Sequence, residues 1–261
     1  MFRSLRRRRV ATAIAALTVL AAAAVGCGGG DSATLGKKVD PSTTVPTPTT
    51  TTVPSWQTYS ARANGATLQV FAQPNDAQPT MEMPNPWLVD PSVPEAKVPQ
   101  VFLVKQLQGS WIQVLLPVRP NGSTGWVRST DVTLSPNPFH VRVSLGEHTI
   151  KVTNADNVIY EGTVAVGKPS TPTPLGEYYL RVLIRAPDPN TVYGPYAYGL
   201  SSHSEVLETF AGGDAEIGIH GNNDASVLGS NVTSGCVRID NDAITMLSKQ
   251  LPLGTPVDIV S

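Results

Sequence analysis

The chain has 261 residues, of which 41% are hydrophobic and 15% charged, and its formal net charge is −1. This composition is typical of a globular protein with one or two domains and excludes a disordered or fibrous chain. Residues 1–26 contain five arginines and no acid, so removing them changes the net charge from −1 to −6. A chain of that charge lacks the basic surface that binds nucleic acid through phosphate contacts.

Residues 1–26 have the pattern of a secretory signal peptide that is removed after export. Arginines form its basic end, and Val10–Val25 is an apolar run shorter than the about 20 residues needed to span a bilayer. The run leads into Ala24-Val25-Gly26-Cys27, which resembles the lipobox of bacterial lipoproteins, where the cysteine carries lipid. The resemblance implies a membrane-anchored lipoprotein of the cell envelope, facing the cell wall. The alternative is an ordinary cleaved signal peptide with an incidental Cys27.

The chain has two cysteines, Cys27 and Cys236. In an exported protein, two cysteines are most simply interpreted as a disulfide. If Cys27 carries lipid, however, Cys236 is left as a free thiol in an oxidising compartment, where unpaired cysteines tend to be lost or used. If Cys236 is such a free thiol, its retention indicates a chemical role, and we interpret it as a nucleophile.

Residues 27–55 are rich in glycine, threonine and proline and contain almost no apolar residues to bury. Such a segment is predicted to be a disordered, extended linker. Together with a lipid on Cys27, it would tether the rest of the chain to the outer face of the cytoplasmic membrane.

Residues 56–136 contain short alternating runs separated by turn residues, such as Gln108–Ser110 and Asn121-Gly122, and are predicted to form antiparallel hairpins. Gly125-Trp126-Val127, with Asp131-Val132 just beyond, resembles the last strands of bacterial SH3-like domains. The resemblance implies a small β-barrel module, from which the Pro-rich stretch 74–99 departs as a long insertion. A wall-binding role and a structural spacer both remain open.

Residues 137–261 are predicted to be mainly β with one packed helix. Alternating runs between 139 and 166 indicate a β-meander, the prolines of 169–174 indicate a loop, and 177–185 returns to strand. The connection 186–200 is long enough to be functional. A helix begins at one of Asp240 to Asp242, because apolar residues follow at helical spacing on one face, and a last strand follows it. The apolar residues are Ile244, Leu247 and Leu251.

A histidine and a cysteine fall at the ends of two strand-like runs near the end of the chain. His220 ends the run 216–219, and Cys236 begins the run 236–239. A cysteine attacks only as thiolate, and a neighbouring imidazole can take its proton. Gly221 and Gly235 permit close approach of an extended peptide, and the N–H groups of Gly235 and Cys236 can form an oxyanion hole.

The sequence around His220 and Cys236 resembles the motifs of a known protein family. Residues 217–221 (Ile-Gly-Ile-His-Gly) and 233–238 (Thr-Ser-Gly-Cys-Val-Arg), preceded by 173–178 and followed by 254–257, are similar to the catalytic domain of L,D-transpeptidases, the YkuD family. The resemblance covers about residues 138 to 260. It implies a β-sandwich-like fold and a ping-pong acyl transfer between peptidoglycan tetrapeptide stems, one as donor and one as acceptor.

The resemblance also implies roles for individual residues. Cys236 attacks the carbonyl before the terminal D-alanine, and His220 takes the thiol proton and later deprotonates the acceptor amine. The carbonyl of Gly221 holds the imidazole tautomer, and Arg238 orders the site or meets a substrate carboxylate. Carbapenems are implied as covalent inhibitors of Cys236. The oxyanion and substrate-binding set is assigned to Thr233, Ser234, Gly235, Arg238 and Tyr198, although Ser234 stands where most members carry a second histidine.

Two other functions remain open at this stage. An L,D-carboxypeptidase would use water instead of an amine, and a peptidoglycan-binding lipoprotein would carry a catalytically weak site because of Ser234. Tyr193, Tyr196 and Tyr198 either line a substrate lid or pack in the core or on the surface. No cofactor is expected, and no residues have the spacing of a metal site.

Overall fold

A computed structural model describes residues 57–89, 93, 95–210 and 213–261, and residues 51–261 belong to one compact unit. The predicted signal peptide, the linker 27–55 and Cys27 lie outside the described residues. No helix in the described part is long and apolar enough to cross a membrane. Strands dominate these residues, as the sequence predicts.

The first half of the described chain forms one five-stranded antiparallel sheet and two small hairpins. Its strands, in chain order, are β1 (Thr58–Ala63), β2 (Thr67–Val70), β3 (Met81–Pro84), β4 (Trp87–Leu88), β5 (Lys97–Val98), β6 (Val101–Gln108), β7 (Trp111–Leu115), β8 (Thr124–Arg128) and β9 (Val132–Asn137). The sheet has the order β8-β7-β6-β1-β9, while β2 pairs with β3 and β4 pairs with β5. A short 3-10 helix, Ser129–Asp131, precedes β9.

The predicted turns of this half connect neighbouring strands. Gly109 joins β6 to β7 with φ +58°, and Gly122, with φ +82°, lies between β7 and β8. The stretch 74–99, expected as an insertion, contains strands β3, β4 and β5. Alternation along the strands places side chains such as Phe102, Ile112 and Val114 in a buried core.

The second half forms an eight-stranded mixed sheet. Its elements are β10 (Phe139–Ser144), β11 (Thr149–Asn154), β12 (Asn157–Thr163), β13 (Val166–Gly167), β14 (Gly176–Arg185), β15 (Tyr196–His203), β16 (Glu216–His220), β17 (Asn231–Thr233), β18 (Val237–Arg238), α1 (Asn241–Leu247) and β19 (Pro256–Val260). The order is β12-β11-β10-β19-β14-β15-β16-β18, and β13 pairs separately with β17. The predicted meander is confirmed as β10 to β12, and β19 closes the sheet between β10 and β14.

The single α-helix predicted from the sequence is confirmed as α1. Asp240 caps it, because its side chain accepts hydrogen bonds from the N–H groups of Asp242 and Ala243. Ile244, Leu247 and Leu251 are all buried in the core of the second sheet. Ile244 and Leu247 pack the helix against the sheet that carries the candidate site, and Leu251 lies four residues beyond the end of the helix.

Residues of the two halves contact each other extensively. Tyr179 of β14 is fully buried in the core of the first sheet, with its ring 6.4 Å from that of Phe102. The guanidinium of Arg119, between β7 and β8, donates hydrogen bonds to the carbonyls of Ser204, Leu207 and Asp214. The first half therefore supports the chain before β16 at residues 204, 207 and 214.

Candidate active site

Strands β16 and β18 bring the predicted histidine and cysteine to one place. The two strands pair in parallel, with Ile219 opposite Val237 and His220 opposite Arg238. His220 is the last residue of β16, and Cys236 directly precedes β18. Both side chains line one small cavity with a volume of about 70 Å³. The sequence predicts that the strand ends carrying His220 and Cys236 lie side by side, and the parallel pairing of β16 with β18 brings them together.

His220 is held in one tautomer and is uncharged at neutral pH. Its Nδ1 lies 2.7 Å from the carbonyl oxygen of Gly221. Because a carbonyl oxygen only accepts, Nδ1 carries the proton and Nε2 keeps its lone pair. The side chain is 3% exposed, and this burial lowers the pKa of His220 to about 4, although the Gly221 hydrogen bond opposes the shift. His220 is therefore ready to accept a proton at Nε2.

Cys236 is a free, half-buried thiol. Burial raises its pKa above the ordinary value, against the opposing effects of the Gly218 N–H, which donates to Sγ at 3.4 Å, and of the Arg238 charge. The thiol is therefore neutral at pH 7 and needs a base in order to attack. His220, lining the same cavity, is such a base.

Hydrogen bonds fix the turn that precedes Cys236. The Thr233 hydroxyl donates to the Cys236 carbonyl at 2.6 Å and accepts the Gly235 N–H at 3.1 Å. The Gly235 carbonyl accepts the hydroxyl of Thr173, from the proline-rich loop, at 2.8 Å. Gly235 has φ +122°, a conformation that L side chains rarely adopt. Because the Gly235 N–H is already engaged, the Cys236 N–H is the remaining donor of the predicted oxyanion pair.

Three more predicted residues, Thr233 among them, line the cavity, and one predicted residue does not belong to the site. Ser234 and Arg238 both line it, and the positive charge of Arg238 lowers the pKa values of His220 and Cys236. Tyr198, predicted to bind substrate, is 1% exposed, and its hydroxyl donates to the carbonyls of Leu247 and Leu251 at the end of the helix. This placement in the core corrects the assignment of Tyr198.

Tyr193 lies at the site instead. Its ring centroid is 5.1 Å from that of His220, and it lines the same cavity. Glycines permit this contact, because a Cβ on Gly194 would lie 2.7 Å from the Gly221 Cα and 2.4 Å from Asn241 Oδ1. The Asn241 side chain also bonds both the N–H and the carbonyl of Asn222. The sequence signals for this packing are the Tyr-Gly pair in the long connection 186–200 and the asparagine at the helix start.

Substitution of Gly194 tests this close approach. Gly194→Ala is expected to lower the free energy of unfolding by at least about 2 kcal/mol. The alanine would be strained at φ +63°, and its Cβ would also clash with neighbouring atoms. Gly122→Ala is the matched control, since it has φ +82° but no atom within 4 Å of the added Cβ. We expect it to cost only about 1 kcal/mol. Urea denaturation measures both, and equal losses would contradict the packing of this loop on Gly221.

No group of three or more His, Cys, Asp or Glu side chains within the described part of the chain is placed to hold a metal ion. The polar groups that line the cavity include the Cys236 thiol, the His220 imidazole, the Arg238 guanidinium and the Ser234 hydroxyl.

The family model and the relatives that this chain matches are described as L,D-transpeptidases. A family model described as the YkuD L,D-transpeptidase catalytic domain matches residues 138–259. The putative L,D-transpeptidase YkuD of Bacillus licheniformis is 30% identical over 154 residues, covering 56% of this chain and 85% of the relative. L,D-transpeptidase 1 of Mycobacterium tuberculosis is 25% identical over 179 residues, covering 57% and 70%. The crystal structure of Mycobacterium tuberculosis L,D-transpeptidase 3 with a faropenem-derived adduct is 17% identical, with a TM-score of 0.40, covering 55% and 76%.

Proposed function

The chain belongs to the YkuD family of L,D-transpeptidases, and we propose that it forms peptidoglycan cross-links through an acyl-enzyme on Cys236. The observation that carries the assignment of the catalytic pair is the hydrogen bond from His220 Nδ1–H to the Gly221 carbonyl. That bond leaves Nε2 as the base in the cavity that also contains the thiol. A neutral thiol and a neutral imidazole are the reactants from which a general-base attack starts.

The first half-reaction cleaves the donor stem. Cys236 Sγ attacks the carbonyl between the L-centre and the terminal D-alanine while His220 Nε2 takes the thiol proton. The Cys236 N–H donates to the oxyanion that forms on the carbonyl oxygen. The C–N bond then breaks, His220 returns the proton to the departing D-alanine amine, and a thioester on Cys236 remains.

The second half-reaction transfers the acyl group. An amine of the acceptor stem attacks the thioester carbon while His220 Nε2 takes a proton from that amine. The C–S bond breaks, an amide forms between the stems, and the proton on His220 returns to the sulfur. Water in place of the amine would give a carboxypeptidase, so products from a tetrapeptide stem with and without acceptor distinguish the two reactions.

The residues around Cys236 and His220 have supporting roles. Thr233 and Gly235 shape the turn before the thiol, as their hydrogen bonds with Cys236 and Thr173 indicate. Arg238 lines the cavity beside the reacting groups and supplies a positive charge for a substrate carboxylate. Ser234 is exposed on the cavity wall and supplies a hydroxyl there.

Acylation by meropenem tests the proposal without requiring an acceptor. We expect intact-mass analysis to show one adduct of the inhibitor's mass on the wild-type protein, because the thiol opens the strained β-lactam as it would attack the stem. Cys236→Ala should show no adduct under the same conditions. A wild-type protein that stays unlabelled where an active relative is labelled would overturn the enzymatic assignment and favour a peptidoglycan-binding role.

The part of the chain before the catalytic region fits this function. The composition of residues 1–26 supports export, and the Cys27 motif supports a lipid anchor at the outer face of the cytoplasmic membrane. In this arrangement residues 27–55 are a tether, residues 56–136 an SH3-like module, and residues 137–261 the catalytic domain. The tether would let the catalytic domain reach stems at a distance from the membrane.

A further inference from the structure

A larger groove adjoins the small cavity and also contains Cys236. Its volume is about 630 Å³, and it reaches from Cys236 and Tyr193 past Phe210 to Trp87, Leu88 and Val89. The last three residues belong to β4 and the residue after it, and they precede the region 138–259 that matches the family model. One wall of this groove is therefore supplied by the first half of the chain.

An aromatic and ionic contact holds β4 against the catalytic strands. The Arg181 guanidinium lies 3.8 Å from the centroid of the Trp87 ring, and it forms an ion pair with Glu216. Glu216 is in β16, the strand that ends at His220, and it lines both the cavity and the groove. Because the same guanidinium stacks on Trp87 and pairs with Glu216, it restrains both side chains more than an exposed ion pair would.

The groove wall carries apolar side chains that the fold leaves partly in water. Leu88 is 39% exposed, Phe210 44% and Tyr193 40%. Trp87 adds a polar group, because its Nε1–H is buried and has no acceptor among the described residues. Exposed apolar surface around an opening is typical of a binding site.

The position of His220 indicates which part of each substrate lies in the small cavity and which lies in the groove. Among the described residues His220 lines the small cavity but not the groove. A leaving D-alanine amine and an acceptor amine both exchange protons with His220, so both must reach the cavity side. The donor stem extends away from the scissile bond and needs more space than about 70 Å³, which the groove of about 630 Å³ offers.

We propose that the donor stem peptide lies in this groove against Trp87, Leu88 and Val89, so that the first half of the chain determines donor binding. The inference rests on the proposed transpeptidase function and adds a specificity-determining surface outside the matched catalytic region. The apolar side chains of Trp87, Leu88 and Val89 bind the aliphatic parts of the stem.

Leu88→Asp tests the proposal, with Leu107→Asp as a matched control. Leu107 is also an exposed leucine, at 53%, and lies on β6 of the first sheet. For Leu88→Asp we expect kcat/KM for the tetrapeptide donor to fall about tenfold, because an apolar contact of the donor is replaced by a charge. The rate of meropenem acylation should fall by much less, within about twofold of wild type, because the inhibitor is smaller than the stem and contacts less of the groove wall. Leu107→Asp should change neither quantity.

Trp87→Ala provides a second measurement on the same wall, with thermal unfolding as a check on the fold. Unchanged donor kcat/KM in both Leu88→Asp and Trp87→Ala would overturn the groove assignment. An equal loss of donor turnover and meropenem acylation in Leu88→Asp would also overturn it, because the change would then act on the thiol and its base. Absence of a meropenem adduct on the wild-type protein would instead contradict the proposed function, so the two failures are distinguishable.

Discussion

Replacement of Cys236 by alanine is expected to abolish transfer of a tetrapeptide stem to an acceptor amine, with a loss of at least about 10³-fold. The thiol is the nucleophile of the proposed reaction, and no other cysteine is present in the described residues. Removal of a nucleophile eliminates the covalent route completely, whereas removal of a positioning group leaves part of the rate. Mass spectrometry of the cross-linked product, with the stem and the acceptor both supplied, measures the loss.

A serine variant separates the nucleophile from the shape of the site. Cys236→Ser keeps a side chain of similar size but replaces the thiol by a hydroxyl that is far harder to deprotonate, so we expect it to be as inactive as the alanine variant. Since Cys236 is only half-buried, both variants should unfold within a few degrees of wild type. More than about 0.1% of wild-type transfer in either variant would indicate another nucleophile and contradict the mechanism.

Much of the fold and the catalytic pair could be predicted from local sequence features. Alternation of apolar and polar residues identified β10 to β12, and Asp240 with the apolar spacing after it identified α1. His220 and Cys236 could be paired because each lies at the end of a strand-like run beside a glycine. Strand ends and glycines are local signals, so a single sequence contains them.

The contacts that the sequence did not predict are long-range. Trp87 reaches the site through Arg181, which is 94 residues further along the chain, and no local pattern in the proline-rich stretch indicates that contact. Tyr193 and Tyr198 could not be distinguished, because a tyrosine suits both a core and a binding surface. Tyr198 is buried because its face of β15 packs against α1, a property of the assembled sheet, whereas Tyr193 lies in the loop before β15.

The acid limit of activity is expected near pH 4, because burial lowers the pKa of His220 to about that value. The imidazole is then the free base at all higher pH values, so kcat/KM should hold from neutral pH down to about pH 5 and fall below it. An exposed histidine would give an acid limit near its ordinary pKa of about 6.5. The pH profile of meropenem acylation measures the limit, and a midpoint near pH 6.5 would contradict the buried, neutral imidazole.

The same pKa shift affects stability, and the two effects have to be separated. The folded pKa of His220 lies below the unfolded value of about 6.5, so the unfolded chain binds more protons between those values. The free energy of unfolding therefore decreases as the pH falls from about 6.5 toward 4. Thermal unfolding at each pH value shows whether a loss of rate comes from protonation of the base or from loss of the fold.

His220→Gln removes the base while keeping a side chain of similar reach. Glutamine places a polar amide where the imidazole Nε2 lies, but it cannot accept the thiol proton at pH 7. We expect kcat/KM to fall by about 10² to 10⁴-fold at pH 7, the usual contribution of a general base. The residual rate should rise with pH, because only the thiolate reacts without a base and burial raises the pKa of Cys236. A variant with wild-type rate and an unchanged acid limit would show that His220 is not the base.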